Sequence, residues 1–300
     1  MVLTTRVGSP TCTHCTNDVV VLRGVPRFVG HEHYAGSFGL QWNRHAKVQL
    51  DSTTGKPISR GRLFDVTEWP ERMEGQRILE AGCGAGRFTE VLAATGAEVW
   101  SFDLSNAVEA NFANHGHLPN VHIFQASMDA VPFSAGQFDR VLCLGVLQHT
   151  PDPAAAFRAL VAQVRPGGHL AIDVYRKDLA ALLQWKYVLR PITKRLPPER
   201  LYRTVAAVVP RLMPAARYAR RTMGRWGARL LPIAEYSHLG LSSELNAEWS
   251  VLDTFDMLSP THDHPQTLAT VRRWFSDVGF SDVVVERGPN GIIGRGIRNI

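Results

Sequence analysis

The sequence predicts an α/β fold built on a doubly wound, largely parallel sheet. Three observations carry that reading. Between Ile78 and Glu90 the chain reads ILEAGCGAGRFTE: an aliphatic run, a turn with glycines at alternate positions, then Phe88, Val91 and Leu92 at helical spacing. Further short strand-like runs follow before residue 175, and each ends in polar or glycine residues. The last segment holds two strand-like runs joined at Pro289-Asn290-Gly291, a hairpin turn signal.

Taken in order, Arg77-Ile78-Leu79 is a strand that ends at the acidic Glu80, and Gly82, Gly84 and Gly86 form the turn into the next helix. Glycines there permit positive φ and bring a ligand close to backbone amides. The spacing is G-x-G-x-G; a dinucleotide fingerprint needs its third glycine where Arg87 stands, so a nicotinamide enzyme is disfavoured. The second strand, Glu98 to Phe102, ends at Asp103. Open α/β sheets bind ligands at the carboxyl ends of their strands, so Asp103 is a candidate to hold ligand hydroxyls; an N-cap by Asp103 or Ser105 is the alternative. The third strand, Val121 to Phe124, leads into Gln125–Phe133, and the fourth, Phe138 to Leu144, runs into Gly145. Asp152 followed by Pro153 reads as N-cap and first turn of a helix. Val164-Arg165-Pro166-Gly167-Gly168 is a turn before the fifth strand, Leu170 to Val174; a helix from Leu268 to Val278 and strands at 282–286 and 291–297 finish the chain.

These segments, in this order, resemble the class I S-adenosylmethionine (SAM)-dependent methyltransferases, specifically the methyltransferase type 11/ubiquinone-biosynthesis-like family. Residues 80–86 resemble its acidic glycine motif. Phe138 to Pro153 is similar to its F-D-x-V-x-x-x-x-V-L-x-H-x-x-D-P block, and Arg165 to Gly168 to its K/R-P-G-G turn. The likeness covers about residues 75–175 and, less closely, 266–300. It implies a Rossmann-like seven-stranded doubly wound sheet with a C-terminal antiparallel hairpin, plus a helical insertion and an N-terminal cap. It also implies S-adenosyl-L-methionine as cofactor. On the matching positions the cofactor would meet Glu80, Gly82, Cys83, Gly84 and Gly86, then Asp103 and Leu104 at the ribose, and Leu144 and Gly145 after the fourth strand. The adenine segment departs from the family's G-D-A-x-x-L-P-F: Ser127 holds the acidic position and Asp129 lies two residues on, so Ser127, the Met128 amide and Asp129 are all candidates. Tyr34 to Asp51 is expected to act as a lid, with Tyr34, Gln41 and Trp42 at cofactor or substrate, or else to pack its aromatics on the sheet edge. Cys12-Thr13-His14-Cys15 and the run after it resemble half of a zinc knuckle; the first C-x-x-C is missing and His14, His31 and His33 fit no ligand spacing, so a metal-free remnant is expected.

A chain of 300 residues, 45% hydrophobic, can bury a sizeable core. No apolar run reaches membrane-span length and the opening MVLTTRVGSP lacks a signal-peptide core, so a cytoplasmic location is expected. Cys83 in the turn and Cys143 in a buried strand agree with a reducing compartment. We expect a knuckle remnant and cap at 1–70, a SAM-binding core at 71–175, a basic helical insertion at 176–250 and a core-completing segment at 251–300. From Arg176 to Arg229 fourteen Lys and Arg face only Asp178 and Glu199, a balance of +12 against +6 for the whole chain. Pro191, Pro197, Pro198, Pro210, Pro214 and Pro232 are expected to divide the insertion into short helices. Basic helices bearing Trp and Leu suit an anionic substrate or peripheral contact with an anionic membrane, or form a solvated cap; no nucleic-acid-binding module is recognisable.

Methyl transfer needs alignment of nucleophile, methyl and sulfur, and a hydroxyl acceptor also needs a base. His149, just past the fourth strand, is the first candidate, with packing near Asp152 as the alternative; His262, Asp263 and His264 form the second group. The His-x-His pair has no locatable co-ligands, so no metal is assigned. The expected reaction is methylation of a small molecule, at a hydroxyl of a bulky, anionic or lipid- or sugar-linked metabolite. An RNA methyltransferase and a non-catalytic SAM-fold partner protein are the alternatives.

Overall fold

The computed structural model describes residues 3–4, 11–12, 19–30, 34–177 and 184–300. Strands β1 (Leu3–Thr4) and β2 (Thr11–Cys12) form an antiparallel ribbon. The hairpin of β3 (Val20–Leu22) and β4 (Val25–Arg27) turns at Arg23 and Gly24, both with positive φ. Helices α1 (Gly36–Arg44), α2 (Asp51–Thr54) and α3 (Ile58–Thr67) lead into the core. There β5 (Arg77–Ala81), α4 (Arg87–Ala93), β6 (Glu98–Asp103), α5 (Val108–His115), β7 (Val121–Gln125), β8 (Phe138–Leu144), α6 (Pro153–Gln163) and β9 (Val164–Val174) alternate. A helical cap follows, α7 (Trp185–Thr193), α8 (Pro198–Gly227) and α9 (Ser243–Leu258), then α10 (Leu268–Asp277), β10 (Phe280–Gly288) and β11 (Gly291–Arg298).

The main sheet has the order β10-β11-β9-β8-β5-β6-β7-β4-β3. Strands β5 to β9 run parallel, and β11 lies antiparallel between β9 and β10. Those seven strands are the sheet expected from the sequence. The hairpin of β3 and β4 adds two more, because β4 pairs parallel with β7 at Arg27 and Gln125. Arg27 fastens that edge, donating to Gln125 Oε1 at 2.8 Å and to Glu109 Oε1 at 2.9 Å. Of the expected knuckle residues, His14, Cys15, His31, His33 and the side chain of Cys12 lie outside the described residues.

Side-chain alternation sends each strand's residues into two cores. Leu79, Val141, Cys143, Leu170 and Ile172 meet Phe157, Leu160, Trp274 and Phe275 from α6 and α10. Ile78, Val99, Leu142, Leu144 and Ala171 meet Leu63, Val66, Phe88 and Leu92 from α3 and α4 on the other face. Helix α6 starts as the sequence indicates: Asp152 Oδ1 accepts from Ala154 N and Ala155 N at 2.9 and 3.0 Å, with Pro153 in the first turn. The Pro166–Gly168 turn is absorbed into β9, where the register shifts between the pairs Phe138–Val164 and Arg140–His169.

The cap corrects the expectation of short helices. Helix α8 continues through Pro210 and Pro214 and departs from helical geometry at Gly224. A proline inside a helix costs about 3 kcal/mol, which burial of one whole stripe offsets: Leu201, Val205, Val209, Met213 and Ala216 pack on Val251, Phe255 and Leu258 of α9. Both prolines sit on the exposed face. Helix α9 also fastens the N-terminal helices, since Gln41 Nε2 donates to Asp256 at 2.8 Å, Gln49 Nε2 to Asp253 at 3.1 Å, and His45 meets Glu248 at 3.0 Å. Among the described residues no helix is long and apolar enough to cross a membrane.

Candidate active site

The carboxyl ends of β5 to β8, the α1 segment and the cap enclose a cavity of about 720 Å³. Its floor is the glycine turn. Gly82 and Cys83 donate to Phe102 O at 2.8 and 3.0 Å, which pins the turn to β6. A β-carbon on Gly82, at φ +76°, would come within 2.8 Å of Val146 Cγ1; one on Gly84, at φ +53°, would press on the Trp42 indole at 3.1 Å. Gly84 N–H donates to Asp103 Oδ2 at 3.1 Å, while Ser105 N and Oγ donate to Oδ1 at 2.8 and 2.7 Å. Asp103 therefore belongs to a turn at the cavity wall, and the N-cap position of α5 falls to Ala107 instead.

Tyr34, Trp42, Gly82, Cys83, Gly84, Asp103, Leu104, Ser127, Met128, Asp129, Leu144, Gly145 and His149 all line this cavity. The Ser127 hydroxyl donates to the Asp129 carboxylate, which orders the segment after β7. Burial, with Asp103 and Asp129 nearby, pushes the Tyr34 phenol up to about 12, so it stays neutral.

Glu80, Gly86, Gln41, His262, Asp263 and His264 lie off the cavity wall, each for a physical reason. Glu80 is buried beneath the turn, where Thr89 and Ser101 hydroxyls donate to Oε2 at 2.5 Å; burial raises its carboxyl to about 7 despite these bonds. Gly86, at φ +93°, caps α4, and a β-carbon there would overlap Asn111 and come within 2.6 Å of His115 Nδ1. Its requirement is steric, so Gly86→Ala is expected to lower unfolding free energy by about 2–4 kcal/mol, read from a urea midpoint. Gln41 is turned to Asp256. Asp263 is committed to ion pairs with Lys186 at 3.2 Å and Arg190 at 3.8 Å. His264 N donates to Gln148 O at 2.8 Å, and the His262 ring meets Tyr34 edge-on and stacks on His264. The loop thus serves His149 through its backbone.

His149 is buried between the rings of Phe38 and Tyr175, at 5.2 and 5.4 Å. Its Nδ1 lies 3.0 Å from the His262 carbonyl oxygen, which can only accept, so the proton sits on Nδ1 and Nε2 keeps the lone pair. Burial lowers the imidazole pKa below the usual 6.5, against the pull of Asp256. Sequence reasoning passed over other residues of the wall, among them Arg62, Arg87, Tyr175, Lys186, Tyr236, Asp253 and Asp256. Arg62 is paired with Asp173 at 2.6 Å, and Asp173 also accepts from Gly145 N. Arg87, donating to Gln49 Oε1 at 2.8 Å, has its pKa lowered to about 10 by burial and by Arg62. Asp253, raised by burial to about 6, accepts from Tyr236 and from Trp249 Nε1. Arg87 alone had a local signal, as the residue following the last glycine.

A family model described as a methyltransferase domain matches residues 79–172. The ubiquinone biosynthesis O-methyltransferase of Alkalilimnicola ehrlichii is 31% identical over 171 residues, 55% of this chain and 69% of that protein. Its counterpart in Acinetobacter baumannii is 31% identical over 161 residues, 51% of this chain and 66% of the relative. A crystal structure of magnesium protoporphyrin IX methyltransferase from Synechocystis with bound S-adenosylhomocysteine superposes with a TM-score of 0.45 at 18% identity, over 89% of this chain and 97% of the other. The chain belongs to the class I SAM-dependent methyltransferases. It is an enzyme, and S-adenosylmethionine is its methyl donor.

Proposed function

We propose that this enzyme methylates a hydroxyl of a bulky, anionic or lipid- or sugar-linked small molecule. The observation that carries the reading is His149: a buried imidazole with its proton fixed on Nδ1 by a carbonyl and its basic nitrogen left for the cavity. The residues present also fit the donor. Gly82 and Gly84 keep a cradle that a β-carbon would fill, the Asp103 carboxylate suits a ribose diol, and Ser127 to Asp129 suit adenine. The Arg62 guanidinium suits the carboxylate of the methionine portion. When bound, SAM supplies a methyl electrophile on sulfur.

His149 Nε2 accepts the proton of the acceptor hydroxyl as its oxygen takes the methyl, then passes the proton to solvent. Tyr34, Trp42 and Phe38 exclude water from above, and Tyr175 holds the imidazole orientation. The two relatives are ubiquinone biosynthesis O-methyltransferases, which agrees with a hydroxyl acceptor. The test is transfer from methyl-labelled SAM to catechols, to matched anilines and to RNA. Label in the catechols is expected; label confined to anilines or RNA sinks the reading.

A lipid-linked acceptor and peripheral membrane contact are supported by the cap. Trp185, Val188, Ile192, Trp226 and Leu230 are exposed on it, among Lys194, Arg195, Arg221 and Arg229. Trp185 Nε1 donates to Leu230 O at 3.1 Å, which joins the two apolar patches near the cavity-lining Lys186 and Arg229. Ile192 and Trp226 are 68% and 61% exposed. Replacing both by Glu is expected to cut sedimentation with anionic vesicles by about tenfold or more, with melting temperature unchanged.

A further inference from the structure

Resting on the hydroxyl-acceptor reading, we propose that Lys186 forms an anion subsite of the acceptor chamber, its ammonium gripping a negatively charged oxygen of the acceptor beside His149. Lys186 stands in the first turn of α7, lines the cavity, and has only 8% of its side chain exposed. Its Nζ lies 4.2 Å from the Tyr175 ring centre and 4.8 Å from that of Tyr187. The Tyr175 ring also meets His149, edge-on at 5.4 Å. Ammonium and imidazole thus share one aromatic ring, and a molecule whose hydroxyl meets the histidine comes within reach of the lysine.

Among the described residues Asp263 forms ion pairs with both Lys186 and Arg190, at 3.2 and 3.8 Å, so this trio by itself carries one net positive charge. Asp256 and Asp253, two of the carboxylates on the cavity wall, have neutral donors of their own: Asp256 accepts from Gln41 at 2.8 Å, and Asp253 from Tyr236, Trp249 and Gln49. An ammonium has three N–H donors. Asp263 is its ion-pair partner at 3.2 Å, while contacts with ring faces use charge and leave donors for an oxygen. Burial lowers the lysine pKa against the pull of Asp263 and Asp256. A purely structural duty is already met by Arg190, which donates to Pro260 O at 2.8 Å and Met257 O at 3.4 Å and so fastens the same loop to α7.

The anionic oxygen can be a carboxylate carried by the acceptor or the ionised reacting hydroxyl. Calorimetric binding of 3,4-dihydroxybenzoate and of its methyl ester to the enzyme holding S-adenosylhomocysteine separates them. In one arm, Lys186→Met weakens the carboxylate probe by about 10- to 100-fold and leaves the ester within twofold, and Lys186→Arg restores most of the loss. In the other arm, ester affinity climbs as pH rises through its hydroxyl ionisation, and Lys186→Met abolishes the climb. Either arm supports the subsite. Equal loss for both probes, with no pH effect, marks a structural lysine and overturns it; so does no loss at all in a variant with unchanged melting. Wild-type enzyme that transfers methyl to neither probe nor to other hydroxyl acceptors overturns the hydroxyl reading and this inference together. Intact transfer without charge discrimination overturns this inference alone.

Discussion

Asp103→Ala is expected to weaken SAM binding by about 100-fold or more, measured by titration calorimetry with NADH as a control ligand. Two effects add. The ribose loses a charged acceptor, and the glycine turn loses the carboxylate that Gly84 N and Ser105 are bonded to. Asp103→Asn keeps one acceptor oxygen for the turn and separates the two effects: a loss nearly as large as in the alanine variant places it in the ribose contact. Micromolar binding by Asp103→Ala would remove the aspartate from the donor site.

His149→Gln is expected to lower kcat on a hydroxyl acceptor by about 10²–10⁴-fold, with the dissociation constant for SAM unchanged. Glutamine can keep a bond to the His262 carbonyl and fill the space between Phe38 and Tyr175, but it has no basic nitrogen to accept a proton. The pH dependence carries its own sign. The base works when neutral, and burial holds its pKa below 6.5, so wild-type kcat/KM should rise with pH through a limb below that value and level above it. The limb should vanish in the variant. Because the unfolded chain takes up the proton that the buried imidazole refuses, this residue also makes stability fall as pH drops below about 6.5. A nearly silent His149→Gln would point to an amine acceptor, which needs no dedicated base.

Much of the core could be read along the chain because its signals are local. Aliphatic runs bounded by Glu80, Asp103, Gln125 and Gly145 carry strand periodicity, the alternating glycines carry positive φ, and Asp152-Pro153 carries a helix start within four residues. The carboxyl-end rule then brings most of the proposed donor-binding residues to one cavity. Local propensity misleads where burial outweighs it. Pro210 and Pro214 argue for a break, yet a five-residue apolar stripe on α8 keeps the helix running. The edge hairpin at Val20 to Arg27 is likewise a tertiary outcome, since joining the sheet depends on Arg27 meeting Gln125 and Glu109 from another part of the chain.

By itself the sequence determined the strand–glycine-turn–helix unit and the succession of the strands along the chain, both set by conformational preferences within a few residues, and its motifs carried the resemblance that implied the methyl donor. Tertiary structure alone decided which further charges and rings line the cavity. Lys186, Asp253, Asp256 and Arg62 carry no local pattern, and the roles of Gln41 and Asp263 were settled by partners far along the chain, at Asp256 and Lys186. Which charge faces a cavity and which is spent on an ion pair depends on packing between distant segments, because Coulomb and desolvation energies follow distance in space and burial.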